Sequence, residues 1–370
     1  MAIKRYLEEY FGLSFGFSKS PRRLSTSQSA AQSAQSTLFS NHVKNKRGFF
    51  LTLIALLIVS LFVLYLQITI IHQSQPASVA SAALSSSVTS FVNSMEEFYL
   101  PNIVSVTLAS SLQGMSNYLA AGNQYVVSQN QSAIFYQMLT NGTVYPYAGT
   151  VYSNQTLNSL LPIFTSLVNS QLNIPLTLNF VPYQFTVYQE TPWTVTVKMT
   201  FQYSINETDL VIANRTMQIF ATVPITGLPE PYSLINTHGA YAPNITQTNI
   251  STWTIALFKQ HIISQQFAAN TIAPSYLNRL ANVTTASAYG IEYFTDPSRF
   301  GYNVAPVNYS FVDYQFWTRP WNCTPYSANL FNITSISNSA QLGNFLVDDA
   351  HASKYMTLGE RLTNVTLVCS

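Results

Sequence analysis

One long apolar run dominates the hydrophobic pattern of the chain. It extends from Gly48 to Leu66 (GFFLTLIALLIVSLFVLYL), and Thr52 and Ser60 are its polar interruptions. Extended to Ile71, the segment has 24 residues, or about 36 Å of helix at about 1.5 Å per residue. Because the hydrocarbon core of a bilayer is about 30 Å thick, the pattern predicts a transmembrane helix over 48–71. A buried helix of a soluble domain and a cleaved secretory signal are the alternatives.

The segment after this run shows helical periodicity. Apolar residues recur every three or four positions between Pro76 and Gly122, which predicts helices there, with a second one beginning near Pro101. Further helices are predicted over 131–140, from a cap at Asn154 or Thr156 to about Leu172, and over Trp253 to Phe267.

A period of two then replaces the helical period. Trp193 to Ile205 alternates apolar and polar side chains for seven steps, and Met217 to Val223 does the same, as do shorter stretches at 176–180 and 185–187. Asn206 to Arg215 is predicted to be the hairpin loop. Because each strand has one apolar face, the pattern predicts an antiparallel sheet covered on one side by helices.

The predicted fold class is therefore α+β. An N-terminal transmembrane helix continues into helices packed on an antiparallel sheet, and an irregular region rich in Tyr and Asn follows, with short strands at 308–317 and 363–369. The predicted domains are a disordered basic tail (1–47), the span (48–71), a helix-plus-sheet domain (72–230) and a mixed C-terminal region (231–370).

Charge is distributed unequally about the apolar run. The first 47 residues hold eight of the 16 basic residues and two of the 14 acidic residues, a net charge of +6, whereas the remainder carries −4. Since basic flanks stay on the cytoplasmic side, we expect a cytoplasmic N-terminus and an extracellular C-terminal part in a single-pass protein of the cell membrane. The sequence pI near 8.4 averages two unlike parts, and we expect no nucleic-acid partner.

Twelve Asn-x-Ser/Thr sites all follow the apolar run, as expected for N-glycosylation of an extracellular domain. Asn322 is the weakest candidate because Cys323 stands inside its site. The other eleven are Asn130, Asn141, Asn154, Asn206, Asn214, Asn244, Asn249, Asn282, Asn308, Asn332 and Asn364. Cys323 and Cys369 are the two cysteines; an oxidising exterior permits a disulfide between them, and two unpaired thiols are the alternative.

Charged residues make up only 8% of the chain, against about 25% in an average soluble domain. Few carboxylates means few groups whose protonation unfolds a protein in acid. We therefore expect the outer domain to face acidic surroundings. The 23 Tyr and four Trp residues either fill the core of this weakly charged domain or form a binding surface.

The junction Lys46-Arg47-Gly48-Phe49-Phe50-Leu51-Thr52-Leu53 resembles a prepilin leader of the type IV pilin family. The resemblance implies that a membrane peptidase cuts between Gly48 and Phe49 and that the helix packs into a filament. Leu53 stands where pilins usually carry Glu, which argues against a major subunit.

A second resemblance covers more of the chain and is to an uncharacterised group of archaeal membrane-anchored surface proteins. It implies topology and source but no activity. The segments that carry it are Thr191-Pro192-Trp193, Ile225 to Asn236 (ITGLPEPYSLIN), Gly290-Ile291-Glu292, Val312-Asp313-Tyr314 and Asp348-Asp349-Ala350-His351.

Motifs with known chemistry are scarce in the sequence. No His or Cys pair has metal-ligand spacing, and no Gly-x-Ser-x-Gly, Walker or dinucleotide motif occurs. Asp348, Asp349 and His351 form the densest titratable cluster, suited either to a hard cation or to structural hydrogen bonds. Glu292 and Asp313 are interpreted as lone polar residues. We predict no catalytic residue, metal or cofactor.

Two functions remain open. The first is a non-enzymatic surface protein, pilin-like or serving the envelope or adhesion, whose partners are the lipid bilayer and other pilin-like subunits or envelope proteins. The alternative is a membrane-tethered extracellular hydrolase or metal-dependent enzyme with its site in the C-terminal third. An enzyme requires a concave pocket with convergent polar groups, whereas an adhesin or filament subunit requires an exposed binding patch.

Overall fold

The structure is a computed structural model that describes residues 56–63, 77–122, 124–126, 131–144, 150–207, 210–295, 309–318, 330–333 and 344–369. The chain divides into two compact units, Met1–Ser90 with Ser170–Asn173, and Phe91–Asn169 with Ile174–Ser370. Of the predicted membrane span, only 56–63 is described, and it is helical. Among the described residues, no helix has both the length and the apolar character to cross a membrane. The span over 48–71 and the division into four domains stay predictions.

The described chain is α+β, as predicted. Its helices are α1 (Ala77–Ser94), α2 (Leu100–Gly122), α3 (Gln131–Asn141), α4 (Leu157–Leu167), α5 (Pro231–Asn236), α6 (Ile255–Ser264), α7 (Tyr276–Leu280), α8 (Asp313–Thr318), α9 (Asp349–Tyr355) and α10 (Leu358–Asn364). Its strands are β1 (Leu176–Thr191), β2 (Thr194–Glu207), β3 (Leu210–Pro224), β4 (Ala268–Ala269), β5 (Ile291–Glu292), β6 (Phe294–Thr295), β7 (Tyr309–Val312), β8 (Leu330–Ile333), β9 (Asn344–Asp348) and β10 (Val365–Cys369).

The predicted sheet is present as β1-β2-β3, with both pairs antiparallel. Helix α2 packs against β3, and α3 and α4 pack against β1, so the alternating apolar side chains of β2 are buried. The predicted loop from Asn206 to Arg215 is wrong. The strands instead pair as far as Glu207 with Leu210, because Leu210-Val211-Ile212 is an apolar stretch with two β-branched residues that extends the ladder.

Proline and capping residues place the helix boundaries where the sequence indicates. A π-helical turn at Met95–Tyr99 separates α1 from α2, which begins at Leu100, next to Pro101. Since proline has no N–H to donate and crowds the preceding turn, the wider turn accommodates it. Thr156 caps α4 through Ser159 N, at 3.2 Å, which confirms one of the two predicted caps.

The region from 270 onward is more ordered than the sequence pattern suggests. It contributes a five-stranded sheet in the order β10-β8-β9-β7-β6, in which only the β7–β9 pair is parallel, and β4 pairs with β5. These strands have two to five residues, too few to show an alternating pattern. The predicted short strands at 308–317 and 363–369 correspond to β7 and β10, although α8 replaces the second half of the first.

The core beside this sheet is aromatic. Phe258 stacks on Tyr355 with ring centroids 4.8 Å apart, and Phe294 and Phe345 surround them in edge contacts. Tyr232, Tyr276 and Tyr293 are also completely buried. In the described part of the chain, tyrosines therefore supply much of the core.

Gly290 positions β5 and should not tolerate a side chain. A Cβ there would lie far inside van der Waals contact of the carbonyl oxygens of Asn270 and Ala273, both of them backbone atoms that hold the turn. We expect Gly290→Ala to lower the free energy of unfolding by about 2 kcal/mol through overpacking, measured by urea unfolding of the full chain in detergent. Gly359→Ala in α10, where the new Cβ meets nothing within 4 Å, is the control and should be neutral or stabilising. Equal effects of the two changes would contradict the prediction.

Candidate functional site

His351 links two carboxylates inside the C-terminal part of the chain. Asp348 ends β9 and caps α9, and its Oδ1 accepts hydrogen bonds from His351 N at 2.9 Å and Nδ1 at 2.5 Å. On the other side of the ring, His351 Nε2 lies 3.1 Å from Glu292 Oε2 in β5. The side chains of Glu292 and His351 have no solvent exposure, and that of Asp348 has 11%.

Glu292 is the most heavily bonded of these groups. Its Oε1 accepts from Asn270 Nδ2 at 2.6 Å, from the Tyr355 hydroxyl, and from Lys354 Nζ at 3.3 Å. A carboxylate surrounded by this many donors stays ionised even when it is buried.

The pKa values agree with an imidazolium held between two carboxylates. Burial opposes the charge of His351, but the Glu292 charge and the Asp348 hydrogen bond outweigh it and raise the pKa of His351 to about 9. Burial likewise opposes ionisation of Glu292 and Asp348, but His351 lowers the pKa of each to about 2. All three groups are therefore charged at neutral pH.

A second cluster surrounds Arg279, which is completely buried in α7. Its Nη1 donates to Glu230 Oε1 at 3.0 Å and to Asp313 Oδ2, and Nη2 donates to the carbonyl of Ile291. The guanidinium carbon lies 5.2 Å from the ring centroid of Tyr232. Glu230 also caps α5, because its two oxygens accept from the first backbone N–H groups of that helix.

Two buried carboxylates thus share one guanidinium. Burial raises the pKa of Asp313 to about 7, with repulsion from Glu230 adding to burial and Arg279 opposing both. Asp313 Oδ1 has no hydrogen-bond partner among the described residues. The cluster therefore retains one proton well above the ordinary pKa of a carboxyl group.

The clusters meet at the short β5–β6 segment. Arg279 bonds the carbonyl of Ile291, the next residue is Glu292, and the carbonyl of Tyr293 accepts from Asp313 N at 3.0 Å. Gln315 Nε2 then donates to Asp348 Oδ2 at 2.7 Å. The described residues therefore contain one buried network of charged and polar groups, which joins β5, β9 and four short helices.

Sequence reasoning locates only part of this network. It is right to group Asp348 with His351, but Asp349 is exposed and pairs with Arg361 at 2.6 Å. The interpretation of Glu292 and Asp313 as lone residues is wrong, and Glu230 and Arg279 are missed. The sequence feature that could have identified Glu230 is the Pro-Glu-Pro turn before α5. Glu230 there precedes a proline at the first helical position, which marks it as a helix cap.

The predicted glycosylation sites are mostly on the surface. Seven of the asparagines are exposed, namely Asn141, Asn154, Asn206, Asn214, Asn244, Asn249 and Asn282, and Asn332 is half-buried in β8. Asn130, Asn308, Asn322, Cys323, Gly48 and Phe49 lie outside the described residues, and the side chains of Asn364 and Cys369 are not described. Glycosylation, the disulfide and the leader cleavage stay predictions.

No group of three or more His, Cys, Asp or Glu residues in the described ranges is arranged to hold a metal ion. Comparisons of the chain with known protein families, curated proteins and solved structures give no match. Function must therefore be inferred from this chain's own geometry and topology.

Proposed function

We propose that this protein is a single-pass, membrane-anchored and N-glycosylated cell-surface protein, pilin-like or part of the envelope or adhesion apparatus, whose outer part performs no catalysis. The apolar run at 48–71 supplies the anchor and the basic tail keeps the N-terminus inside. The exposed asparagines after the run support an outer location.

The main support for a non-catalytic role is the position of His351 between the carboxylates of Asp348 and Glu292. A carboxylate on Nδ1 is also how a catalytic histidine is oriented, but there Nε2 faces a nucleophile. Here Nε2 faces Glu292 at 3.1 Å with no exposure of either side chain, and the pKa of about 9 keeps both ring nitrogens protonated. Such a histidine serves as an internal cross-link rather than as a base.

Topology is tested by protease treatment of intact cells followed by detection of both ends of the chain. We expect the part after residue 72 to be digested and the basic tail to be protected, because positive flanks are retained inside. Digestion of the tail with protection of the remainder would overturn the proposal.

N-terminal sequencing of protein from native membranes then decides the pilin-like assignment. A mature chain that starts at Phe49 supports a filament subunit, whereas a chain that retains the basic tail supports an anchored envelope or adhesion protein. Gly48→Val is the matched variant, because it should block cleavage after residue 48 while leaving the apolar run intact.

A further inference from the structure

On the side of the β1-β2-β3 sheet that faces away from the helices, the central strand carries polar side chains, and this side contains a hollow. Along β2 this outer face carries Thr196, Lys198, Thr200, Gln202 and Ser204, which alternate with the buried apolar residues. The side chains that β2 places on this face include no acidic residue.

The hollow lies beside a bulge in β1. Phe180 pairs with Phe201, but the next pair is Phe185 with Met199, so β1 advances five residues where β2 advances two. Bulges of this kind bend a strand and redirect its side chains, and they are frequent next to functional sites. The resulting hollow has a volume of about 340 Å³ and is lined by Gln184, Phe185, Thr186, Lys198, Thr200 and Gln218.

The lining has a consistent chemistry. Thr200 is only 3% exposed, whereas Gln184 and Gln218 are exposed. Glutamine amides and threonine hydroxyls donate and accept hydrogen bonds, which suits a ligand with several hydroxyl groups.

A positive charge and an aromatic ring narrow the class of ligand that this hollow suits. Lys198 has no carboxylate within salt-bridge distance in the described part of the chain. Its Nζ lies 5.5 Å from the ring centroid of Phe220, its cross-strand partner, which is 51% exposed. An ammonium without a carboxylate partner attracts an anion. Phe220 is not one of the residues that line the hollow but is paired across the strands with Lys198, which is, and its exposed ring offers an apolar face for contact.

We propose that this hollow binds an acidic sugar, with the carboxylate of a hexuronic acid on Lys198, its hydroxyl groups on Gln184 and Gln218, and one face of its ring against Phe220. The volume lies at the lower end of the range of about 300–1,000 Å³ for small-ligand sites. The ligand is therefore one or two sugar units at the end of a chain rather than a long polymer.

This inference deepens the proposed function, since it names the partner of a surface protein as an acidic glycan, and it rests on the outer location for access to that glycan. The two can fail separately. If the chain binds the sugar but residues after 72 lie inside the cell, the proposed function alone is overturned. If those residues lie outside the cell but the chain does not bind the sugar, the sugar site alone is overturned.

The test is isothermal titration of the full chain in detergent with digalacturonic acid, with the neutral disaccharide lactose and with inorganic phosphate. We expect digalacturonic acid to bind at least tenfold more tightly than either of the other probes. Lys198→Gln should weaken its binding at least tenfold and Gln218→Ala about fivefold. Lys259→Gln in α6 is the matched lysine control and should bind as the unaltered chain does.

Three results would overturn the proposal. Equal binding by the Lys198→Gln and Lys259→Gln proteins would remove Lys198 from the site. Equal binding of phosphate would reduce the site to a general anion site, and equal binding of lactose would remove the requirement for the carboxylate. Circular dichroism of each variant confirms that the fold is unchanged before titration.

Discussion

Replacement of Arg279 with methionine is expected to lower the free energy of unfolding by about 3–5 kcal/mol, which is the cost of removing one partner from a buried ion pair. The change leaves Glu230 and Asp313 buried without a cation, and it removes the donor to the carbonyl of Ile291. It also removes the cation that lies over the Tyr232 ring. Urea unfolding of the full chain in detergent at pH 7 measures the loss.

Two further variants test whether the loss in Arg279→Met comes from burial of charge. Arg361→Met removes a partly exposed pair with Asp349 and should cost less than about 1 kcal/mol, as exposed pairs do. Adding Asp313→Asn to Arg279→Met should recover part of the stability, because without Arg279 the Asp313 side chain must either stay charged without a cation or take up a proton at pH 7, and asparagine does neither. If the double variant is no more stable than Arg279→Met, burial of charge does not explain the loss.

The elements that are predictable from the sequence are those whose pattern is long and local. Strand β2 shows seven alternating steps, so its existence and its buried face follow from the order of its residues alone. Helix α4 is similarly marked by the Thr156 cap. By contrast, β5 and β6 have two residues each, and their pairing depends on contacts that are distant along the chain.

The network is less predictable for the same reason. His351 and Asp348 are three residues apart, within one turn of a capped helix, so the sequence itself brings this pair together. Glu292 lies 59 residues from His351 and Glu230 lies 49 residues from Arg279. An isolated acidic residue in a sequence does not indicate whether its partner is water or a buried guanidinium, because that depends on which short strands meet.

Five charged residues of the described chain are buried in these two clusters, namely Glu230, Arg279, Glu292, Asp313 and Asp348. Surface charge contributes little to stability, whereas a buried and fully bonded charge destabilises the fold strongly once it loses its partner. The pH response of this protein should therefore follow a handful of groups, chiefly Glu292, Asp348, His351 and Asp313.

Stability should be greatest on the acidic side of neutrality. The raised pKa of His351 means that its contribution is complete below its ordinary value of 6.5 and is lost as the pH rises through about 9. The lowered pKa values of Glu292 and Asp348 mean that their contribution is complete above ordinary values of 4.5 and 3.8 and is lost as the pH falls through about 2. The full stabilisation by the bridge is therefore present between about pH 4.5 and 6.5, and it declines on either side of this interval.

Asp313 moves the pH of maximum stability to a still lower value. Its pKa of about 7 in the folded chain exceeds the ordinary 3.8, so the folded state holds a proton that the unfolded state releases between these values. Stability consequently decreases as the pH rises from about 4 to 7. Asp313→Asn should flatten the profile in this interval, which urea unfolding at half-unit pH steps measures. An unchanged slope would contradict the assignment of that proton to Asp313.

His351→Gln is the second change with a large expected effect. Glutamine leaves Glu292 and Asp348 buried without the imidazolium between them, so we expect a loss of about 3–5 kcal/mol at pH 5.5. The difference from the unaltered chain should shrink toward pH 9, since His351 then loses its charge in the unaltered chain as well. His238→Asn changes an exposed histidine at a positive φ of 52°, which asparagine tolerates, and should preserve the shape of the profile. A His351→Gln loss that is the same at pH 5.5 and pH 9 would show that His351 stabilises the fold through packing rather than through its charge.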